Sequence, residues 1–458
     1  MKNILLSFIA LTMSTIVAQA QNMNAMESLD DRILPLRERA KIEDELLKDR
    51  LDKLVPMLMR REGIDAWVVI SREYNEDPVL KTMLPATWLN ARRRTVLIFL
   101  DHGEENGGVE RIAAARYGVT DIFKGSWNPE EEPDQWRRIG DILHKFDPKR
   151  IALNYSDDWG HADGLTYSEQ RDFVRAIPDR LRTRITSAER LAVGWLETRT
   201  EKEMVVYEDV MEIAHGIIAE GFSGKVITPG VTSTDDLVWW YRQRINDLGL
   251  TTWFHTSIEL ERSDASKANI EANNLDPNIL YKGDHVHIDF GISYLSLQTD
   301  TQQNAYILKD GETDAPEELK IALRGGNALQ DMLTNNFMVG RTGNEILSLT
   351  RDQSIANGIG PIIYTHPIGL HGHAAGTTIG MWDKQEGVPG SGDYPMHANT
   401  AYSIELTAMV DVPDSWSVEP MRMKLEQDGF YDGTSFRYIA GRQTEYLIID
   451  PADAQMAE

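Results

Sequence analysis

The sequence predicts two domains: an α/β domain at the N-terminus, followed by an α+β domain. The chain has 458 residues, of which 41% are apolar, so it is long enough to bury two or three cores. In its first half, short apolar runs such as Ala66–Ile70 and Thr95–Leu100 alternate with helical segments, which is typical of an α/β domain. In its second half, amphipathic helices accompany strands that fold back as hairpins, which is typical of an α+β domain. We expect the first domain to span residues 21–190 and the second to span residues 195–458.

Apolar periodicity predicts the elements of the first domain in order. Residues Ala40–Arg61 place leucines and methionines at helical spacing, which predicts a long amphipathic helix. The two apolar strands named above come next. They are followed by a helix near Gln135–Phe146, a strand over Arg150–Leu153 and a helix around Ser168–Ala176.

The second domain is predicted to begin with an amphipathic helix from Glu201 to about Ala219. Two later helices open with capping boxes, in which a hydroxyl and an acid three residues on cap the first turn. These boxes begin at Ser233 and at Thr342. The remaining segments have strand character: Trp253–Leu260, a hairpin over 283–308, Ile362–Tyr364, Ala401–Val412 and Arg442–Ile449.

The first 20 residues have the pattern of a signal peptide. Lys2 precedes an apolar run over residues 4–17, and Ala18-Gln19-Ala20 then forms a small-residue cleavage site. A membrane anchor is the alternative, but the run is shorter than the about 20 apolar residues needed to span a bilayer. We expect cleavage near Ala20 and a periplasmic or secreted protein without stable membrane insertion.

Composition excludes several kinds of chemistry. The formal net charge of −25 argues against nucleic-acid binding, which requires a basic surface. The chain has no cysteine, which excludes disulfides, thiolate metal sites and cysteine nucleophiles. Any metal must therefore be held by carboxylates and imidazoles, which suit ions such as Mn²⁺, Co²⁺ or Zn²⁺.

The hairpin over 283–308 carries two aspartates, Asp289 and Asp300. Apolar residues alternate with polar ones on either side of a turn near Tyr294 and Leu295. A turn at that point would place the two aspartates directly opposite each other, where like charges destabilise a sheet. A shared cation would remove the repulsion. The alternative is an exposed strand with two solvated carboxylates.

Three further stretches contain residues suited to metal binding. The loop after Thr365 carries His366, His371 and His373 among glycines. Glu405 lies within a strand-like apolar segment, and Arg442 and Glu445 precede another. Taken singly, these histidines are typical of loops, and each acid is typical of an exposed strand or an ion pair.

In this order the acids and the histidine resemble the ligands of the pita-bread metallopeptidases, the family of methionine aminopeptidase, aminopeptidase P, prolidase and creatinase. The resemblance implies a pita-bread catalytic domain preceded by a smaller α/β domain, and covers the whole mature chain. It implies two divalent ions, with Mn²⁺ expected, bound by Asp289, Asp300, His366, Glu405 and Glu445. It also implies that a metal-bridging hydroxide attacks the scissile carbonyl, that Glu405 transfers the proton, and that His373 binds the oxyanion or the peptide. Arg442 would orient a carboxylate, or else is a surface cation.

Charge balance agrees with that implication. Four carboxylates buried together cannot remain ionised without counter-charge, and two divalent cations supply four positive charges.

The chain departs from the family pattern around the ligands. Thr301-Gln302-Gln303 replaces the family's Thr-Arg after the second aspartate, and Ala374 replaces the acid that commonly follows the catalytic histidine. No histidine lies in 269–280, where the family often has one that binds substrate; His255 is farther upstream. His285 and His287 flank Asp289 on its strand and are candidates to support the ligands. These departures concern proline specificity more than metal binding.

The sequence therefore predicts an exported dinuclear aminopeptidase acting on Xaa-Pro bonds. The alternatives are an Xaa-Pro dipeptidase of the prolidase type, a metal-free hydrolase like creatinase, and a non-catalytic peptide-binding protein. The expected partner is a peptide substrate, and the family resemblance implies a homodimer or homotetramer.

Overall fold

The computed structural model describes residues 28–456, so the predicted signal peptide lies outside the described residues. Within that range, residues 66–187 form a six-stranded sheet and residues 257–449 form four smaller sheets. None of the helices described is long and apolar enough to cross a membrane.

The strands of the six-stranded sheet are β1 Ala66–Arg72, β2 Arg94–Asp101, β3 Val109–Ala113, β4 Lys124–Gly125, β5 Ile151–Leu153 and β6 Ile185–Ser187. The sheet is mixed, with the order β4-β3-β2-β1-β5-β6. Strand β2 pairs antiparallel with β1 and β3, and the other three pairs are parallel. The helices are α1 Leu29–Arg32, α2 Leu36–Glu62, α3 Pro78–Lys81, α4 Gln135–Phe146, α5 Tyr167–Ala176, α6 Asp179–Arg182 and α7 Glu189–Glu197, with 3-10 turns at Glu104–Asn106 and Gly160–Ala162.

Alternation along β1 and β2 divides the apolar residues between two cores. Trp67 and Phe99 face α2 and α7 on one side of the sheet. Val68 and Ile98 face α4 and α5 on the other side. Helices therefore cover both faces, as the sequence predicts for an α/β arrangement.

The second half begins with α8 Glu201–Gly221, whose N-cap Thr200 forms a capping box with Glu203. The two predicted capping boxes, at Ser233 and Thr342, are both present. They begin α9 Thr234–Asp247 and α12 Gly343–Ala356, and the other helices are α10 Asp264–Ala272 and α11 Glu317–Asn335.

The four small sheets have the orders β10-β9, β19-β11-β8-β7, β12-β15-β16 and β13-β14-β17-β18. Helices α8 and α9 share a core with the second of these, and α11 and α12 share a core with the third. The strands are β7 Ser257–Glu261, β8 His285–Phe290, β9 Ser293–Tyr294, β10 Leu297–Gln298, β11 Thr301–Ile307, β12 Gly360–Ile363, β13 His366–Pro367, β14 Thr400–Ser403, β15 Leu406–Val410, β16 Met421–Leu425, β17 Asp428–Tyr431, β18 Phe436–Tyr438 and β19 Leu447–Ile449, before a 3-10 turn at Pro451–Met456.

The register of the central hairpin differs from the prediction. Asp289 pairs with Gln302 rather than Asp300, which precedes β11. The turn lies at Leu295 and Ser296, both with positive φ (52° and 63°), one residue later than predicted. Two successive residues with positive φ are typical of a tight type I′ hairpin turn. Because the pairing shifts by two residues, both aspartates still point to the same face of the sheet.

Candidate metal centre

Five acidic or imidazole side chains converge where the small sheets meet. Asp289 is near the end of β8, Asp300 directly precedes β11, and His366 opens β13. The other two are glutamates at points where the chain crosses between sheets. Glu405 lies between β14 and β15, and Glu426 lies between β16 and β17.

Together with His373, their ligand atoms form three overlapping groups, and within each group the atoms lie within 4.8 Å of one another. The groups share residues, so they form one continuous cluster. They are Asp289 with Asp300 and Glu426; His366 with Glu405 and Glu426; and Asp300 with His366 and His373.

Glu445, the fifth ligand that the sequence resemblance implied, is not part of this cluster. Glu426 lies in the cluster instead. Glu445 is exposed and precedes β19, which pairs with the far end of β11 at Ala305–Ile307. Glu426 is 1% exposed and lies in two of the three groups. Its sequence signal is the alternating strand Met421–Leu425, which ends in an acid much as β14 leads to Glu405.

Arg442 also lies away from the cluster. Its guanidinium makes a two-pronged ion pair with Asp331 on α11, with nitrogen–oxygen distances of 2.5 and 3.2 Å. It also lies 5.4 Å from the centre of the Tyr438 ring. Arg442 is therefore a partly exposed cation that joins a loop to α11, which agrees with the alternative of a surface cation.

His366 presents an unprotonated nitrogen to the cluster. Its Nδ1 is 2.9 Å from the carbonyl oxygen of Pro367, which can only accept, so Nδ1 carries the proton. Its Nε2 has no hydrogen-bond partner and lies 3.7 Å from Asp300 Oδ2 and 3.9 Å from Glu426 Oε1. Burial, followed by the neighbouring His373, lowers the pKa of His366 to about 3, so the ring is neutral at physiological pH. A neutral imidazole whose other nitrogen donates to a carbonyl is the usual form of a metal-bound histidine.

The clustered carboxylates hold protons more tightly than usual. Burial raises the pKa of Asp289 to about 7 and of Glu405 to about 8, the latter also because Asp289 is close. Burial and mutual repulsion raise the pKa values of Asp300 and Glu426 well above their ordinary range. Divalent cations would reverse these shifts, because they supply the missing positive charge. Asp289 Oδ1 and His366 Nε2 are buried without a hydrogen-bond partner, so the residues present fit a metal centre.

Three polar residues that the sequence analysis did not assign hold the glutamates and Asp300 in place. Gln302 Nε2 donates to Glu405 Oε1 at 3.0 Å and to Glu426 Oε2 at 3.1 Å. Ser403 Oγ donates to Glu426 Oε1 at 2.6 Å. The backbone N–H of Asp300 donates to Asp428 Oδ2 at 3.2 Å. Sequence reasoning noted the glutamine only as a departure from a family pattern, because its contacts depend on tertiary structure.

His373 lies on the open side of the cluster, within an aromatic wall. Its ring is 4.7 Å from that of His366, 5.0 Å from Trp253 and 5.6 Å from Tyr364, measured between ring centres. The loop that carries His373 can lie this close to Trp253 because residue 372 is a glycine. A Cβ at that position would lie 2.2 Å from an indole carbon of Trp253. His373 is exposed and is also grouped with Asp300 and His366, so it borders both solvent and the ligands.

The remaining histidines are outside the ligand groups. His371 stacks on His161 from the first half of the chain, with ring centres 4.8 Å apart. His255 is exposed, with Nδ1 2.7 Å from Arg242 Nη1, and packs on Trp239. His255 is therefore an exposed histidine rather than a buried one, and it lies outside the ligand groups.

Comparison with known proteins supports the fold. No protein-family model matches the chain, and a search of curated proteins also finds no match. Among solved structures, the chain is similar to an X-Pro aminopeptidase from Thermotoga maritima MSB8, with a TM-score of 0.58 at 16% identity, covering 86% of this chain and 99% of the other. It is also similar to an Xaa-Pro dipeptidase from Bacillus anthracis, with a TM-score of 0.51 at 16% identity, covering 91% and 100%. A dipeptidase PepE from Mycobacterium ulcerans gives a TM-score of 0.54 at 14% identity, covering 89% and 99%.

The class of fold is therefore α+β, with the pita-bread arrangement of Xaa-Pro peptidases preceded by an α/β region. This confirms the predicted fold, and the similarity extends over nearly the whole chain. At these identities the similarity concerns the fold, and the activity must be argued from the residues of the cluster.

Proposed function

We propose that this protein is an exported dinuclear metallopeptidase that releases the N-terminal residue from peptides, with proline in the second position as the preferred substrate. The observation that carries the proposal is the convergence of Asp289, Asp300, His366, Glu405 and Glu426 within overlapping ligand groups. Export is supported only by the sequence pattern of residues 1–20.

We assign two of the three ligand groups to one ion each. One group consists of Asp289, Asp300 and Glu426, and another consists of His366, Glu405 and Glu426. Oxygen and imidazole ligands without sulfur suit Mn²⁺, and also Co²⁺ or Zn²⁺. When bound, a pair of divalent ions would polarise the scissile carbonyl and make a water molecule acidic enough to act as a nucleophile at neutral pH.

The protein's own side chains supply binding and proton transfer. Asp289 is partly exposed, so its carboxylate can also accept a hydrogen bond from the substrate's terminal amine. Glu405 is grouped with His366 and Glu426 in the cluster, so its carboxylate is placed to accept a proton and later give it to the leaving amine. His373, exposed beside Trp253 and Tyr364, can donate to the carbonyl oxygen as negative charge develops there.

The choice between an aminopeptidase and an Xaa-Pro dipeptidase depends on substrate length. His161 contacts the loop that carries His373, so the first half of the chain borders the site on that side. Closure of the site on that side would favour short peptides, and the similar solved structures include both an X-Pro aminopeptidase and an Xaa-Pro dipeptidase. The dipeptidase therefore remains the second candidate. We also expect a homodimer or homotetramer, which light scattering would measure.

Hydrolysis assays test the proposal directly. The chain without residues 1–20 would be freed of metal and assayed with Xaa-Pro-Yaa tripeptides and Xaa-Pro dipeptides, with and without Mn²⁺. Metal-dependent release of the first residue from tripeptides, lost in Glu405→Gln, supports the aminopeptidase. Cleavage of dipeptides alone supports the dipeptidase. Metal binding without cleavage of either kind of peptide would favour the alternative of a non-catalytic peptide-binding protein.

A further inference from the structure

Two buried histidines on β8 have no part in the chemistry proposed above. His285 and His287 lie on the same face of the strand as Asp289 and are 2% and 6% exposed. Each directs Nε2 at a side-chain amide on β11. His285 Nε2 is 2.8 Å from Asn304 Oδ1, and His287 Nε2 is 2.9 Å from Gln302 Oε1. The two hydrogen bonds join the same kinds of atoms, but the amides of Gln302 and Asn304 belong to different hydrogen-bond networks.

The bond from His287 leads to the ligands. Gln302 faces two carboxylate oxygens, of Glu405 and Glu426, at 3.0 and 3.1 Å. Ionised carboxylates only accept hydrogen bonds, so the amide nitrogen must face them and the amide oxygen must face His287. That oxygen accepts, so His287 Nε2 carries a proton in either charge state of the ring.

The bond from His285 leads away from the ligands. Asn304 Nδ2 donates to the backbone carbonyl of Lys424 at 3.0 Å and lies 3.4 Å from Gln443 Oε1. Gln443 in turn donates to the backbone carbonyl of Asn304 at 2.7 Å. This second network ends in backbone groups that join β11 to its neighbours.

We propose that His287 is a positioning residue for the metal centre: acting through Gln302, it holds Glu405 and Glu426 together in the ionised form that binds metal. The proposal rests on the metal centre assigned above. Two neighbouring carboxylates repel each other, and one amide nitrogen with two hydrogens bridges them.

The bridge depends on the orientation of one amide. If Gln302 rotated by half a turn, its oxygen would face both carboxylates and its nitrogen would face the His287 N–H. All three hydrogen bonds would be lost, so His287 selects the orientation that favours ligand pairing. Groups that orient metal ligands in this way typically contribute about 10- to 100-fold to metal affinity.

The neighbouring histidine provides a matched control. His287→Phe and His285→Phe each replace a buried imidazole with a ring that cannot donate, on the same strand and face. We expect His287→Phe and Gln302→Leu to weaken Mn²⁺ binding by about 10- to 100-fold. We expect His285→Phe to change it by less than about twofold, because its network does not reach a ligand. His287→Gln, which keeps a donor, should recover most of the affinity.

The measurement is isothermal titration of Mn²⁺ into the metal-free mature chain, with thermal unfolding of each metal-free variant beside it. Equal losses in both phenylalanine variants would mean a general packing effect and would overturn the proposal. Unchanged affinity in His287→Phe would also overturn it. If that variant does not fold, Gln302→Leu and His287→Gln decide the question by the same criteria.

Peptide hydrolysis by the unmodified chain, assayed in parallel, separates this proposal from the proposed function. Tight Mn²⁺ binding without hydrolysis would refute the peptidase and leave the affinity comparison intact. Absence of Mn²⁺ binding in the unmodified chain would overturn both.

Discussion

Replacing Glu426 with glutamine, beside the same change at Glu445, tests which glutamate completes the metal centre. Glu426→Gln keeps the shape of the side chain and removes one negative charge. Glu426 belongs to two of the three ligand groups and is 1% exposed, so its charge is not compensated by water. Glu445 is exposed and outside those groups, so Glu445→Gln is a matched control.

The magnitude follows from Coulomb's law. At an effective dielectric constant of about 20, two unit charges about 4 Å apart interact by about 4 kcal/mol. Because the ion carries two charges, loss of one carboxylate from the cluster weakens metal binding by at least about that amount, which is on the order of 10³-fold or more in affinity. The control should change affinity by less than about twofold, since an exposed charge is well screened.

The assay is isothermal titration of Mn²⁺ into each metal-free protein, followed by tripeptide hydrolysis at saturating metal. We expect Glu426→Gln to bind fewer or weaker ions and Glu445→Gln to resemble the unmodified protein in both measurements. If Glu445→Gln lost metal and Glu426→Gln kept it, the geometric assignment of the fifth ligand would be refuted.

Four further changes have expected outcomes. Metal-free protein should lose stability as the pH rises from about 4.5, the ordinary carboxyl pKa, to about 8. The raised pKa values of Asp289, about 7, and Glu405, about 8, keep protons on the folded state that the unfolded state has released, so stability falls by up to about 1.4 kcal/mol per pH unit for each group until the pH passes its folded pKa. Denaturant titrations at several pH values would measure this fall, and saturating Mn²⁺ should remove it; a rise without metal would contradict it. His373→Ala should lower kcat by about 10²-fold or more while binding the same number of ions, measured by elemental analysis; loss of an ion would make it a ligand instead. Arg442→Ala should change kcat/KM by less than about twofold and lower the free energy of chemical unfolding by up to about 1 kcal/mol. A large loss of activity would support the other prediction for Arg442, that it orients a carboxylate of the metal centre. Thr342→Ala should lower the free energy of unfolding by about 1 kcal/mol because it removes the N-cap of α12, and no change would mean that the cap is dispensable.

The sequence by itself predicted the fold class, and its resemblance to a known family predicted most of the cluster. Asp289, Asp300, His366 and Glu405 were predicted because their order along the chain resembles the ligand order of that family; taken singly, their local segments are typical of loops and exposed strands. The capping boxes at Ser233 and Thr342 could be predicted from local pattern alone, since their hydrogen bonds stay within four consecutive residues.

Tertiary structure alone decided which acid joins them and what holds the ligands. Glu426 and Glu445 both adjoin an apolar strand, and only the pairing of β15 with β16 and of β19 with β11 separates a buried position from an exposed one. The exact turn at Leu295 and Ser296 set the register of the aspartates. The bridge from His287 through Gln302 to the two glutamates joins residues up to 139 positions apart in the sequence, counted from His287 to Glu426, so no local pattern could reveal it. Local hydrogen bonds are encoded by neighbouring residues, whereas a site assembled from five separate segments of the chain depends on how the strands that carry or flank those segments pack.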